Sequence, residues 1–202
     1  MLEIENNVSK NWITICPKGD MLLEKDNSTK EYQLTYSMFN LKKLNINEFL
    51  SFKIYDLLKT LNSELIEDIK IINTIGDSEI NLLFIFQNIT KELGLKQRAM
   101  FLNIVKTITF SNNNKHQVIF EAKTNDNQLI DDFEVYNKKY SLLTCEFAKT
   151  IINIENSNIN MKYNFKILTK EDLPSYMENI IGLMMKKIFY NLKNFVDKLE
   201  SN

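Results

Sequence analysis

The chain has little glycine, proline, cysteine or histidine, and each shortage removes a class of function. It holds four Gly and two Pro in 202 residues. A phosphate-cradling loop needs two or three glycines within a few residues. Gly19, Gly76, Gly94 and Gly182 stand far apart, which argues against Walker-type and Rossmann-type nucleotide sites, and no cofactor is expected. Two cysteines, Cys16 and Cys145, are too few for a disulfide framework and fit a reducing compartment. One histidine, His116, and no Cys-x-x-Cys leave little for a zinc site, so no metal is expected. No stretch approaches the ~18 uninterrupted apolar residues of a membrane span. Residues Met1-Leu2-Glu3-Ile4-Glu5-Asn6 lack the basic start and apolar run of a signal peptide. A cytoplasmic location is expected.

Charge of one sign is also missing. Twenty-five Lys+Arg against 26 Asp+Glu leave a net charge of −1, which argues against a nucleic-acid partner held by bulk electrostatics. What the chain does have is apolar and aromatic residues: 44% hydrophobic, with 13 Phe and 8 Tyr. That is enough for a sizeable core in one domain, 1–202, with 1–9 as a loose tail. The heavy use of Asn, Ile and Lys, including Asn112-Asn113-Asn114, reads as AT-rich coding and carries no function.

The patterning is strand-rich. Asn11 to Cys16 is β-branched and aromatic, Pro17-Lys18-Gly19-Asp20 is a turn, and Met21 to Glu24 is a second strand. Glu31 to Met38 alternates, with Tyr32, Leu34, Tyr36 and Met38 on one face. A helix is expected next, capped by Asn45 or Asn47, carrying Phe49, Phe52, Leu57, Leu58 and Leu61, and fraying near Asn62-Ser63. Strands then follow. In Asp68 to Ile75, Ile69, Ile71 and Ile75 share a face. Ile80 to Phe86 is almost continuously apolar, as in a strand buried on both faces. Ala99 to Phe110 and Lys115 to Lys123 flank a hairpin turn. Phe133 to Asn137, Tyr140 to Ile154 and Ile159 to Leu168 complete the run.

The last of these strands puts Ile159, Met161, Tyr163, Phe165 and Ile167 on one face. Asp172-Leu173-Pro174 then supplies a cap and an early helical proline. The final helix runs about 25 residues, to near Leu199. Its stripe is Met177, Ile180, Ile181, Met184, Met185, Ile188, Leu192, Phe195, Val196 and Leu199, with Lys186, Lys187, Lys193 and Lys198 mainly off it. Hairpin-linked strands and one amphipathic helix make the class α+β with a mostly antiparallel sheet. The economical packing lays the helix across the concave face.

This order resembles the helix-grip fold, and the START lipid-transfer domains in particular. The strand carrying Trp12, the following turn and the strand at Met21 fit that pattern. Leu95-Lys96-Gln97-Arg98-Ala99-Met100-Phe101 resembles the family's segment of Arg-Asp and two apolar residues, with Ala99 where Asp is preferred. Strand 163–168, then Thr169-Lys170-Glu171-Asp172-Leu173-Pro174 and the long helix, resemble its closing elements. The family's Trp-Asp pair is absent. The resemblance spans nearly the whole chain. It implies a curved antiparallel sheet wrapped around the long C-terminal helix, with shorter helices before the main strands. It also implies an internal cavity for one lipid, a lid formed by the helix and nearby loops, transient contact with a membrane surface, and non-enzymatic transfer by a monomer.

Candidate residues follow from these faces. Met177, Met184 and Met185, with Ile181 and Ile188, either adapt to an acyl chain or pack as ordinary core. Met161, Tyr163 and Phe165 face the same interior, and Phe84 and Phe120 join them from other strands. Apolar walls with a few placed polar groups suit a ligand cavity; a filled core fits as well. Arg98, Glu134 and Glu146 are either solvated sheet residues or, for Arg98 and Glu146, a head-group site. Lys186, Lys187, Lys193 and Lys198 either meet anionic head groups or form a solvated helix face. His116 sits beside a turn with no visible nucleophile or carboxylate. The cargo expected is one glycerophospholipid. The rival readings are an enzyme on the same fold and a ligand-free interaction protein.

Overall fold

The computed structural model describes residues 11–18, 20–39, 41–43, 49–88, 96–111, 115–125, 133–168 and 175–201, with backbone only at 17, 18, 111, 133, 134, 137 and 175–178. Three strands come first: β1 (Trp12–Lys18), β2 (Met21–Asp26) and β3 (Tyr32–Met38). Helix α1 (Ile54–Leu61) follows, then β4 (Ile66–Ile75), β5 (Glu79–Phe86), β6 (Arg98–Ser111) and β7 (Lys115–Thr124). The chain continues through α2 (Phe133–Lys139), β8 (Ser141–Leu142), β9 (Thr144–Glu155) and β10 (Asn158–Leu168) to α3 (Ser175–Ser201). One sheet runs in the order β1-β2-β3-β10-β9-β7-β6-β5-β4, and β8 lies beside β6. Every pair is antiparallel except β6 with β8. The class is α+β with the helix-grip arrangement.

Register explains the core. In β3 the alternate residues Tyr32, Leu34, Tyr36 and Met38 are buried. In β10 they are Ile159, Met161, Tyr163 and Phe165. The pairs Phe165↔Tyr32, Tyr163↔Leu34, Met161↔Tyr36 and Ile159↔Met38 put both stripes on one face, because residues directly opposite point the same way. Helix α3 covers that face with Ile181, Met185, Ile188, Phe189, Leu192 and Val196, all buried. Strand β5 is buried on both faces, as its apolar run implies. Ile80, Leu82, Phe84 and Phe86 join the main core. Leu83 and Ile85 join a smaller outer cluster with Ala99, Phe101 and Tyr140.

The structure corrects several local expectations. Phe133 to Asn137 is helix, not strand. Tyr136 and Tyr140, four apart, both pack on the outer cluster, and Tyr140 N–H donates to Tyr136 O at 2.8 Å. This helix also interrupts the strand run instead of preceding it. Tyr140 to Ile154 is not one strand: β8 runs parallel to β6 for two residues before β9 begins. Helix α1 is shorter than expected. Phe49 to Lys53 form a turn, and the cap assigned to Asn45 or Asn47 lies outside the described residues, as do 112–114 and 172–174. Ile71 and Ile75 are 46% and 51% exposed, so only Ile69 of that trio is buried. Strand β4 is a sheet edge, and its register shifts between Ile71 and Asn73.

Asn62 does not fray. It is fully buried. Its Nδ2 donates to Leu58 O at 2.9 Å and Ile188 O at 3.2 Å, and its Oδ1 accepts from Asn191 Nδ2 at 2.9 Å. The end of α1 is thereby tied to the middle of α3.

Lys186 and Lys193 are not on a solvated face either; each is 7% exposed. Their stems lie along apolar surface and their ammonium groups find fixed partners. Lys186 Nζ donates to Cys16 O at 2.8 Å. Lys193 Nζ meets Asp197 at 2.6 Å and Asp20 at 3.0 Å. Burial opposes the Lys193 charge, but its hydrogen bonds to Asp197 and Asp20 outweigh burial and hold its pKa above the ordinary lysine value. Ile180 and Phe195 leave the predicted stripe and are exposed, while Phe189 joins it.

Gly182, in α3, has no room for a side chain. A Cβ there meets the Tyr32 ring at 2.6 and 2.7 Å. Tyr32 is buried and stacked on Phe165 at 5.2 Å and 13°, so it cannot step aside freely. Gly182→Ala gains ~1 kcal/mol of helix propensity and, because the contacted ring is held by stacking, loses ~2–3 kcal/mol at the upper end of the overpacking range. The expected result is a melting temperature lower by about 2–8 °C, read by calorimetry. An unchanged or higher value contradicts the close packing of α3 on β3.

Candidate functional site

Between the concave face and the two helices α1 and α3 lies an apolar cavity of about 60 Å³. Its floor comes from β5, β6, β7, β9 and β10, and its roof from α1 and α3. Five of the residues expected from sequence line it: Phe84, Phe120, Tyr163, Met185 and Ile188. Met161, Phe165, Ile181 and Met184 belong to or pack against the surrounding core instead. Met177's side chain lies outside the described residues.

Besides Ala122, Ile167 and Phe189, three groups of lining residues were not among the expected site residues. Ile54, Tyr55 and Leu58 come from α1, whose helical spacing was visible but not its position over the sheet. Met100, Leu102 and Ile104 come from β6; their alternation was the available signal. Cys145, Ala148 and Thr150 come from β9 and are too small or too polar to register as an apolar stripe. Aromatic contacts tie roof to floor. Tyr55 meets Phe120 edge-on at 6.3 Å, and Tyr163 meets Phe189 at 4.9 Å.

Neither proposed head-group residue lines this space. Glu146 is exposed and paired with Lys166 at 2.9 Å. Cys145 faces in, so its neighbour faces out. Arg98 shares the inward parity of Met100 and Leu102 but sits at the strand's first position, outside the cavity wall. Glu134's side chain is outside the described set. Another charge is placed better: Lys106, also of inward parity, has its Nζ 4.9 Å from the Phe52 ring centroid, and Phe52 packs on Phe120 at 5.9 Å. His116 packs edge-on to Phe110 at 5.3 Å, away from the cavity lining.

The titratable groups of the cavity are held protonated. Burial drives the Tyr163 hydroxyl well above the ordinary tyrosine value, with smaller contributions from Cys145 and Tyr55. Burial likewise raises Tyr55, helped by Cys145. The Cys145 thiol is pushed by burial to about 12. Because the thiolate is the nucleophile, Cys145 should resist thiol reagents at pH 8 while the partly exposed Cys16 reacts. One prompt thiol per chain, and a second only in denaturant, is the expected outcome of a colorimetric thiol titration. Two prompt thiols would mean that the cavity opens readily.

Comparison with solved structures places this architecture. Human StAR-related lipid transfer protein 5 superposes with a TM-score of 0.69 at 12% identity, covering 94% of this chain and 88% of that one. Human STARD10 gives 0.68 at 9% identity, covering 93% and 73%. The fold is START-like. A STAR-related lipid transfer protein fragment from Xanthomonas axonopodis gives 0.61 at 9% identity, covering 92% and 98%. No protein-family profile and no curated protein matches the chain in sequence. Among the described residues no helix is long and apolar enough to cross a membrane, and no cluster of His, Cys, Asp and Glu is arranged to hold a metal ion. In this START-like fold the cavity lies where the sheet, α1 and α3 meet.

Proposed function

We propose that residues 1–202 form one lipid-binding unit that carries a single lipid between membranes as a non-enzymatic, cytoplasmic monomer. The observation that carries this reading is the apolar cavity under α3 in a START-like fold; two of the three neighbours are named as lipid transfer proteins. The protonated tyrosines and thiol support binding over acid–base chemistry, since a catalytic group needs a pKa near the working pH.

Volume sets the mechanism. About 60 Å³ is well below the ~150 Å³ of an engineered apolar cavity that takes up benzene. A lipid therefore enters only by lifting α1 and α3 from the sheet. Polar ties hold the second half of α3: Lys186 to Cys16 O, Asn191 to Asn62, Lys193 to Asp20, and Glu200 to the Lys42 and Lys43 N–H groups at 2.8 and 2.9 Å. Among the described residues before Lys186, α3 makes no such tie to the sheet, so opening starts at its N-terminal half. There Ile180 and Leu183 are exposed, with Lys187 close by, and this combination suits brief contact with a membrane surface.

A glycerophospholipid cargo, the expectation from sequence, finds no charged partner among the described lining residues. A second reading, a scaffold whose core is simply filled, is favoured by the small volume. Native mass spectrometry of protein purified from cells, followed by organic extraction, separates the two. One lipid per chain is expected. A clean protein mass, with no uptake from mixed liposomes, would sink the transfer reading and leave the scaffold.

A further inference from the structure

Among the described residues the cavity lining is apolar except for four neutral polar side chains: Tyr55, Tyr163, Thr150 and Cys145. Strand register brings them together. Thr150 stands directly opposite Tyr163 across β9 and β10, Cys145 lies further along β9, and Tyr55 reaches down from α1. Tyr163 is only 7% exposed and Tyr55 is half-buried, and among the described residues no hydrogen bond is formed by either hydroxyl. A hydroxyl in apolar surroundings is costly to leave unpaired, and tyrosine buried at a binding surface usually finds a partner for its O–H. Both side chains line the space a ligand would enter.

Among the described residues that wall carries no charged side chain. The charged side chains of inward parity on β6 stand outside the lining: Arg98 at one end, and Lys106, over the Phe52 ring, further along the strand. An anionic phosphate or carboxylate drawn inside would lose its water with no cation to replace it. A ligand with an uncharged oxygen loses far less and satisfies both tyrosines.

We propose that this cavity selects uncharged lipids bearing one hydroxyl or carbonyl, such as a fused-ring or long-chain alcohol, with that oxygen held between the Tyr55 and Tyr163 hydroxyls, and excludes phosphate-headed lipids from its interior. This rests on the lipid-binding reading above. The alcohol donates its proton to one tyrosine oxygen and accepts from the other; a carbonyl accepts from both. Burial, which holds both tyrosines protonated, keeps the donors available across the physiological range.

The test uses the full chain and four probes presented in neutral vesicles: dehydroergosterol, hexadecanol, phosphatidylcholine and phosphatidic acid. The first two should bind and the last two should not. In the Tyr55→Phe/Tyr163→Phe double variant, which keeps both rings, alcohol affinity should fall ~10-fold or more, the loss expected for two neutral hydrogen bonds. Uptake of squalene, which has no oxygen, should stay the same, and this shows that the variant is folded and still opens. Equal alcohol affinity in variant and wild type overturns the proposal. So does preferred uptake of phosphatidic acid that disappears in Lys106→Gln, an outcome that leaves lipid binding itself intact. Uptake of none of the probes, squalene included, overturns both this proposal and the lipid-binding reading.

Discussion

Phe165→Ala is expected to cost ~3–5 kcal/mol of stability, the range for deleting a fully buried phenyl ring. Phe165 is fully buried. It stacks on Tyr32 at 5.2 Å and on Tyr163 at 4.7 Å, and across β9 it faces Ala148, which is too small to fill the void. The two rings stacked on it, Tyr32 from β3 and Tyr163 from β10 itself, sit on strands already fixed by backbone pairing, so the site collapses poorly. Because domains of this kind hold only ~5–15 kcal/mol in total, the variant should unfold at a much lower urea concentration. A loss under ~1.5 kcal/mol, the cost of a volume-conserving swap, would show that Tyr32 and Tyr163 relax into the gap and that this part of the core is plastic.

Asn62→Asp is the second large effect. The amide nitrogen of Asn62 donates to Leu58 O and Ile188 O. A carboxylate in its place points a buried negative charge at two carbonyl oxygens. Breaking a buried polar arrangement in this way costs ~3–5 kcal/mol and releases α1 from α3. The pH dependence has a definite sign. Burial and facing carbonyls disfavour the charged form, so the folded-state pKa of the new carboxyl lies above its unfolded value. Stability is then highest below the unfolded carboxylate pKa and is lost as pH rises through the folded one. The wild type, with a neutral amide at this position, shows no such loss. Thermal melts from pH 4 to pH 8 check this: the gap between variant and wild type should widen with pH. A gap that does not change with pH would mean that the new carboxyl is solvated and that the clamp is not buried in solution.

Some of this was legible in the chain itself. The alternation of Tyr32 to Met38 and of Ile159 to Phe165 predicted the face that each strand buries, since side chains alternate strictly along a strand. The twin-faced burial of β5 followed from its unbroken apolar run. The α3 stripe was readable at the positions that matter most, Ile181, Met185, Ile188, Leu192 and Val196.

The failures share a cause. Ile71 and Ile75 looked like core until the sheet order made β4 an edge. Lys186 and Lys193 looked solvated because their partners, Cys16 O and Asp20, lie over 160 positions away in sequence. The helix at Phe133 was misread as strand because two tyrosines four apart mean little until the outer face of β5 and β6 is there to receive them.

The sequence by itself determined the α+β order of elements and which face of each long strand turns inward, because these depend on local periodicity. Only the tertiary structure decided the rest. It set the strand order that makes β4 an edge, brought α1 over the sheet as part of the cavity roof, and paired Tyr163 with Thr150. It also made Tyr55 and Tyr163 line one space of about 60 Å³. These are contacts between residues far apart in the chain. Local periodicity says which way a side chain points, and packing alone says what it meets there.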